Sequence, residues 1–150
     1  MQMKFSREKS AGYLTNWAAR LFAKAIDRRL KELGLSSGQL PVFFALGDGS
    51  ALSQKALTEI AAIEQPTMAA TLSRMERDGI VARAPNPEDG RSALFSLTPS
   101  AMKKALDVRA AIAAVNADAL EGLEGPDRQA FLAMLRGVIA NLENRLNDQP

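Results

Sequence analysis

Two groups of charged side chains stand at spacings that could do chemistry. In NPEDGRSALFSLT, residues 86–98, Asp89 and Arg91 lie two apart in a turn that also holds Pro87 and Gly90, directly before an alternating apolar run. In QPTMAATLSRMERDG, residues 65–79, Arg74 and Arg77 lie three apart, one turn of a helix. A guanidinium in either setting is an anion binder, because its planar fork of donors matches a carboxylate or a phosphate. The adjacent acids Glu88 and Asp89 offer a rival chemistry, acid–base or metal-dependent catalysis, but neighbouring carboxylates in a proline-flanked turn are more often only solvated.

Composition weighs between these chemistries. The chain has 150 residues and neither cysteine nor histidine, which removes disulfides, thiolate nucleophiles, histidine general bases and the common zinc sites. It is 47% hydrophobic and 24% charged with a formal net charge of +2, the profile of one soluble domain with a real core. No apolar run reaches the ~18 residues of a membrane span, and MQMKFSREKS lacks the apolar stretch of a signal peptide, so a cytoplasmic, membrane-free protein is expected. Charge is uneven: residues 1–31 carry eight Lys or Arg against two acids, and residues 107–150 carry four against seven. On charge alone, a solvated helix face and a phosphate-facing surface are equal readings of the basic end. Residues 65–95 hold four arginines and four acids, so anion binding there must come from placement.

The elements that would do the placing follow from periodicity. Leu14, Trp17, Leu21, Phe22, Ile26, Leu30 and Leu33 recur at helical spacing, predicting a helix over 10–33 that stops at Gly34. Ser36 or Ser37 caps a second helix with Leu40, Phe43, Phe44 and Leu46 on its apolar face, before the turn Gly47-Asp48-Gly49. Ser53 caps a third whose buried stripe is Ala56, Leu57, Ile60 and Ala61. Pro66 opens a fourth, buried through Met68, Leu72 and Met75 and ended by Gly79. Strands are expected over 80–84 and 93–97 as a hairpin, then a helix from Thr98-Pro99 to about Leu120. A last helix over 126–146 carries Phe131, Leu135, Val138, Leu142 and Leu146 along one side.

Two short helices and a hairpin in this order predict a winged helix-turn-helix. The fourth helix would present Pro66, Ala70, Ser73, Arg74 and Arg77 outward with Thr67 at the flank. Small residues permit close approach to a major groove, while Gln65, Thr67 and the arginines can bond bases or phosphates. The quoted turn becomes the wing tip. Arg91 would enter a minor groove, Asp89 would hold its guanidinium or the loop amides, and Gly90 would supply backbone freedom. The plainer alternatives are an amphipathic helix whose arginines pair with Glu76 or Asp78, and a solubilising loop with a weak surface ion pair.

The arrangement resembles the MarR family of transcriptional regulators over nearly the whole chain: QLPVFFAL, SQKALTEIAAI, QPTMAATLSRMERDGIVAR and the wing follow the family's order, with its Asp-x-Arg wing signature standing as Asp89-Gly90-Arg91 and its Pro-Thr-hydrophobic start as Pro66-Thr67-Met68. Glu64 replaces a common N-cap serine, and Ala69-Ala70 a polar or basic pair. The resemblance implies a mainly α fold with a small β-hairpin wing: a single domain over 1–150, in which 34–98 is the winged-helix DNA-binding region and 1–33 with 99–150 form the dimerisation helices. It implies a homodimer on a pseudo-palindromic operator in double-stranded DNA, without cofactor or metal, acting as a repressor released by a small aromatic or phenolic effector. The DNA-facing candidates are Ser53, Gln54, Gln65, Pro66, Thr67, Ala70, Ser73, Arg74, Arg77, Arg83, Asp89 and Arg91. Trp17, Arg20, Leu21, Phe43 and Phe44 are the effector-crevice candidates, with membership of the core as the competing account for the four apolar ones. A helical interaction module without DNA affinity is the alternative function, and a carboxylate-dependent enzyme a third.

Overall fold

The computed structural model describes residues 6–148. The chain divides into two compact units, one running to Val115 and the other from Asn116.

In the first unit, α1 (Ala11–Leu30) starts where the Ser10 hydroxyl accepts the Tyr13 amide at 3.2 Å. It stops in a Schellman motif: the Gly34 amide donates to the Lys31 carbonyl and the Leu35 amide to that of Leu30, with Gly34 left-handed at φ 71°. The expected helix over 10–33 is thus an α-helix whose last three residues tighten into a single turn. A capping box on Ser36 and Gln39 leads into α2 (Leu40–Leu46), and Asp27 of α1 accepts the Ser37 amide at 2.6 Å, tying the two helices together. Val42, Phe43 and Leu46 set the inner side of α2; Phe44, expected beside them, is 71% exposed. At about 100° per residue it stands about 160° round from Val42 and Leu46. In the turn that follows, the Ser50 hydroxyl and amide hold the Asp48 carboxyl below its ordinary pKa.

The Ser53 hydroxyl caps α3 (Gln54–Ala61) by accepting the Ala56 amide at 3.2 Å. Leu57 is fully buried, but Ile60, expected in the same stripe, is 61% exposed. It lies about 60° round from Leu57, past the edge of the face that α2 and α4 (Gln65–Arg77) cover. Met68, Leu72 and Met75 bury the inner side of α4, and a second Schellman motif ends it at Gly79. A third joins α3 to α4: Ala62 donates to Glu59 and Ile63 to Thr58, but the left-handed residue is here Ala62, at φ 51° and ψ 45°. Among the described residues it is the one non-glycine with positive φ.

Strands β1 (Leu52–Ser53), β2 (Val81–Pro85) and β3 (Ala93–Leu97) form an antiparallel sheet in the order β1–β3–β2, with Arg83 opposite Phe95. The two-residue β1 is too short to leave an alternation in sequence. Thr98 then closes the hairpin: its amide donates to the Ile80 carbonyl, its hydroxyl donates to that of Gly79, and its oxygen accepts the Ala101 amide to cap α5 (Pro99–Ala119). One core gathers Leu30, Leu46, Leu57, Met68, Leu72, Met75, Val81, Phe95 and Val108, so every element of the winged helix is pinned to it. Each fully buried side chain of this size contributes about 1.5–3 kcal/mol.

In the second unit, Arg128 holds the turn before α6 (Gly125–Asn147), its Nε and Nη2 donating to the carbonyls of Leu123 and Leu120. The expected stripe forms one side of α6, yet Val138, Leu142 and Leu146 are 42%, 58% and 72% exposed.

Candidate nucleic-acid interface

Burial of Met68, Leu72 and Met75 fixes the rotation of α4 and leaves Pro66, Thr67, Ala70, Ser73, Arg74 and Arg77 exposed, as the spacing predicted, together with Gln65. Its thirteen residues make a rod about 20 Å long, short-chained at its start and cationic at its end. The Arg74 side chain makes no hydrogen bond or ion pair within the described residues, so its guanidinium donors are free for an external anion. Arg77 instead meets Asp78 at 3.2 Å, as the plainer reading had it. Both partners are exposed, and such a pair is worth under about 1 kcal/mol. Glu64 makes no side-chain cap, which leaves amides of the first turn unclaimed by a neighbouring side chain.

At that same end, Gln54 Nε2 donates to Gln65 Oε1 at 3.2 Å, linking the first residues of α3 and α4. Ser53 is half-buried and engaged as a cap. Lys55, which sequence reasoning missed, is exposed beside them, with no side-chain partner among the described residues. A groove of about 480 Å³ runs from Ser53, Gln54 and Lys55 to Arg83, Asn86 and Arg91, so the start of α3 and the wing face one space. The signal for Lys55 was its place two residues after a helix cap.

The wing turn is wired by its own side chains. Asn86 Oδ1 accepts the Glu88 amide, Asn86 Nδ2 donates to the Ser92 hydroxyl, and Asp89 Oδ1 accepts the Arg91 amide, each at 3.0 Å. Asp89 therefore holds the loop amide and not the Arg91 guanidinium, which is exposed and has no partner among the described residues. Gly90 does not take the role expected of it: it lies outside the left-handed region, with nothing within 4 Å of where a Cβ would stand. The two Asx-type hydrogen bonds shape the turn in its place. Arg83, also expected to face DNA, donates from Nε to Glu76 Oε2 at 2.6 Å and stacks 5.2 Å over the Phe95 ring.

The effector candidates do not behave as one set. Phe43 is core, 5% exposed, whereas Phe44, Leu21 and Trp17 are exposed. Trp17 meets Tyr13 edge-on at 6.4 Å and the Arg7 guanidinium at 5.0 Å. Arg20 lines a shallow basic groove along α1 with Lys24, Arg28 and Lys31.

Comparison with known proteins gives the same fold. The sequence model of the MarR family matches residues 33–92. The chain is similar to the helix-turn-helix transcriptional regulator YwoH of Bacillus subtilis, 31% identical over 121 residues that cover 81% of this chain and 88% of that protein. Among solved structures it is similar to the PcaV transcriptional regulator of Streptomyces coelicolor in complex with its natural ligand, at a TM-score of 0.84, 23% identity and coverage of 93% and 98%. It is likewise similar to a MarR-family regulator of Listeria monocytogenes complexed with a 26mer DNA, at a TM-score of 0.83, 20% identity and 91% coverage of each chain.

Proposed function

The chain belongs to the MarR family of transcriptional regulators, and within that family we propose that it recognises a pseudo-palindromic operator through α4 and the wing. The observation that carries this reading is the exposed side of α4, where Pro66, Thr67, Ala70 and Ser73 permit close approach and Arg74 keeps its donors free. Arg91 extends the same logic to a minor groove, on a turn whose amides Asp89 and Asn86 have already bonded. Gln65, Ser53, Gln54 and Lys55 supply backbone contacts at the start of the helix pair.

Two such surfaces come from a homodimer. The uncovered apolar side of α6, with Val138, Leu142 and Leu146, is what a second copy would bury. Half-sites then lie about 10 to 10.5 base pairs apart. Release by a small aromatic or phenolic acid is the regulatory part of the proposal. Exposed Trp17, Leu21 and Phe44 offer apolar surface and Arg20 a cation for a carboxylate, and the Streptomyces structure, solved in complex with its natural ligand, supports the presence of a ligand site in this fold.

The test is binding of the protein to the duplex it enriches from a randomised pool. Arg74→Ala and Arg91→Ala should each weaken that binding by about 1–3 kcal/mol, and a lost phosphate contact should lower the salt slope by about one. A protein without DNA affinity would enrich nothing, and one indifferent to both substitutions binds through another surface.

A further inference from the structure

Arg83 stands on β2 with two partners that belong to different elements. Its Nε donates to Glu76 Oε2, 2.6 Å away on the last turn of α4. Its Cζ lies 5.2 Å over the ring of Phe95, its cross-strand neighbour on β3, and that ring is itself buried in the core at 4% exposure. The guanidinium thus touches the recognition helix on one side and the hairpin on the other. Beyond the shared core, the hairpin's hydrogen bonds from Thr98 to Ile80 and Gly79 sit at its base; among the described residues Arg83 adds a side-chain tie farther along β2 towards the tip.

We propose that Arg83 and Glu76 form a strut that sets the angle between α4 and the wing, making Arg83 a positioning residue for DNA recognition and not a phosphate contact. The inference rests on the DNA-binding reading above. Two physical points favour it. Glu76 takes the Nε donor and the Phe95 ring takes one face of the guanidinium, so the protein itself orients the Arg83 side chain, and the carboxylate beside it offsets the positive charge that an outside anion would meet. Glu76, an acid on the recognition helix, weakens attraction to DNA by its charge alone, a penalty that a structural task offsets.

The opposing signs make a clean experiment. Glu76→Gln, Arg83→Gln and the exchanged pair Glu76→Arg with Arg83→Glu are compared with wild type on the duplex that wild type enriches from a randomised pool, by fluorescence anisotropy across a salt series. Amide hydrogen exchange over residues 81–97 is measured in the free proteins. For a strut, each single substitution weakens binding about fivefold, including the one that removes a negative charge. The salt slope stays at the wild-type value, the exchanged pair recovers most of the affinity, and wing amides exchange faster in both single variants. Equal or tighter binding by Glu76→Gln overturns the strut. So does a fall of about one in the salt slope with Arg83→Gln, the signature of a lost phosphate contact, or an exchanged pair no better than the singles. If wild type enriches no sequence, the DNA reading fails by itself. The strut is then decided by exchange: faster wing amides in both singles support it, and unchanged amides overturn it.

Discussion

Replacing Ala62 by glycine should make the protein more stable, although it deletes a methyl group. Three helix ends close with the same pair of backbone hydrogen bonds, at Gly34, Ala62 and Gly79, with left-handed φ values of 71°, 51° and 73°. Only at Ala62 does the left-handed residue carry a Cβ. That conformation costs an L-residue about 1–2 kcal/mol, and glycine returns about 0.5–1 kcal/mol of it through its greater freedom in the unfolded chain. The net expectation for Ala62→Gly is a gain of about 0.5–1 kcal/mol. Gly79→Ala supplies the mirror experiment: nothing lies within 4 Å of where its Cβ would stand, so its loss should report the backbone alone. Urea unfolding at one fixed protein concentration measures both, since self-association would make the midpoint depend on concentration. The midpoint should rise for Ala62→Gly and fall for Gly79→Ala, with m unchanged in each. A midpoint that falls or stays put in Ala62→Gly, while Gly79→Ala is destabilised as expected, would refute the assignment of strain to Ala62.

Two further expectations concern assembly and solution conditions. Leu142→Glu, on the uncovered side of α6, should weaken self-association by at least about 3 kcal/mol, because a twofold interface loses the leucine twice; sedimentation unchanged from wild type would place the interface elsewhere. With neither histidine nor cysteine in the chain, affinity for the enriched duplex at constant ionic strength should vary less than about twofold between pH 6 and 8, and a steeper profile would point to a titrating group that the residue types do not supply.

The helices were legible because their buried positions recur at three and four and their ends are marked by Ser10, Ser53, Pro66, Gly34 and Gly79, local signals that one sequence carries in full. The outward side of α4 could be read for the same reason: three buried residues fix the rotation of all the rest. Phe44 and Ile60 were misplaced because a helix of seven or eight residues has an apolar side whose width depends on what packs against it, and that is tertiary information. The two-residue β1 has no period to detect. At the wing, the turn and Arg91 were visible, but the division of labour was not. Spacing alone left Asp89 a choice between the loop amides and the Arg91 guanidinium, and the geometry of the turn selects the amide; that Glu76 claims Arg83 depends on a distance between α4 and β2, which spacing along the chain does not encode.

The short side chains on the outer side of α4 bring methyl groups, from Ala70 and Thr67, to where polar readers often stand. Hydrocarbon recognises hydrocarbon, and on the floor of the major groove the matching partner is the C5-methyl of thymine. A regulator reading DNA in this manner would lose affinity for a duplex made with uracil, although every Watson–Crick edge survives that exchange. It would equally mistake 5-methylcytosine for thymine at that point of contact, so covalent marking of the genome could shift its occupancy without a change in sequence.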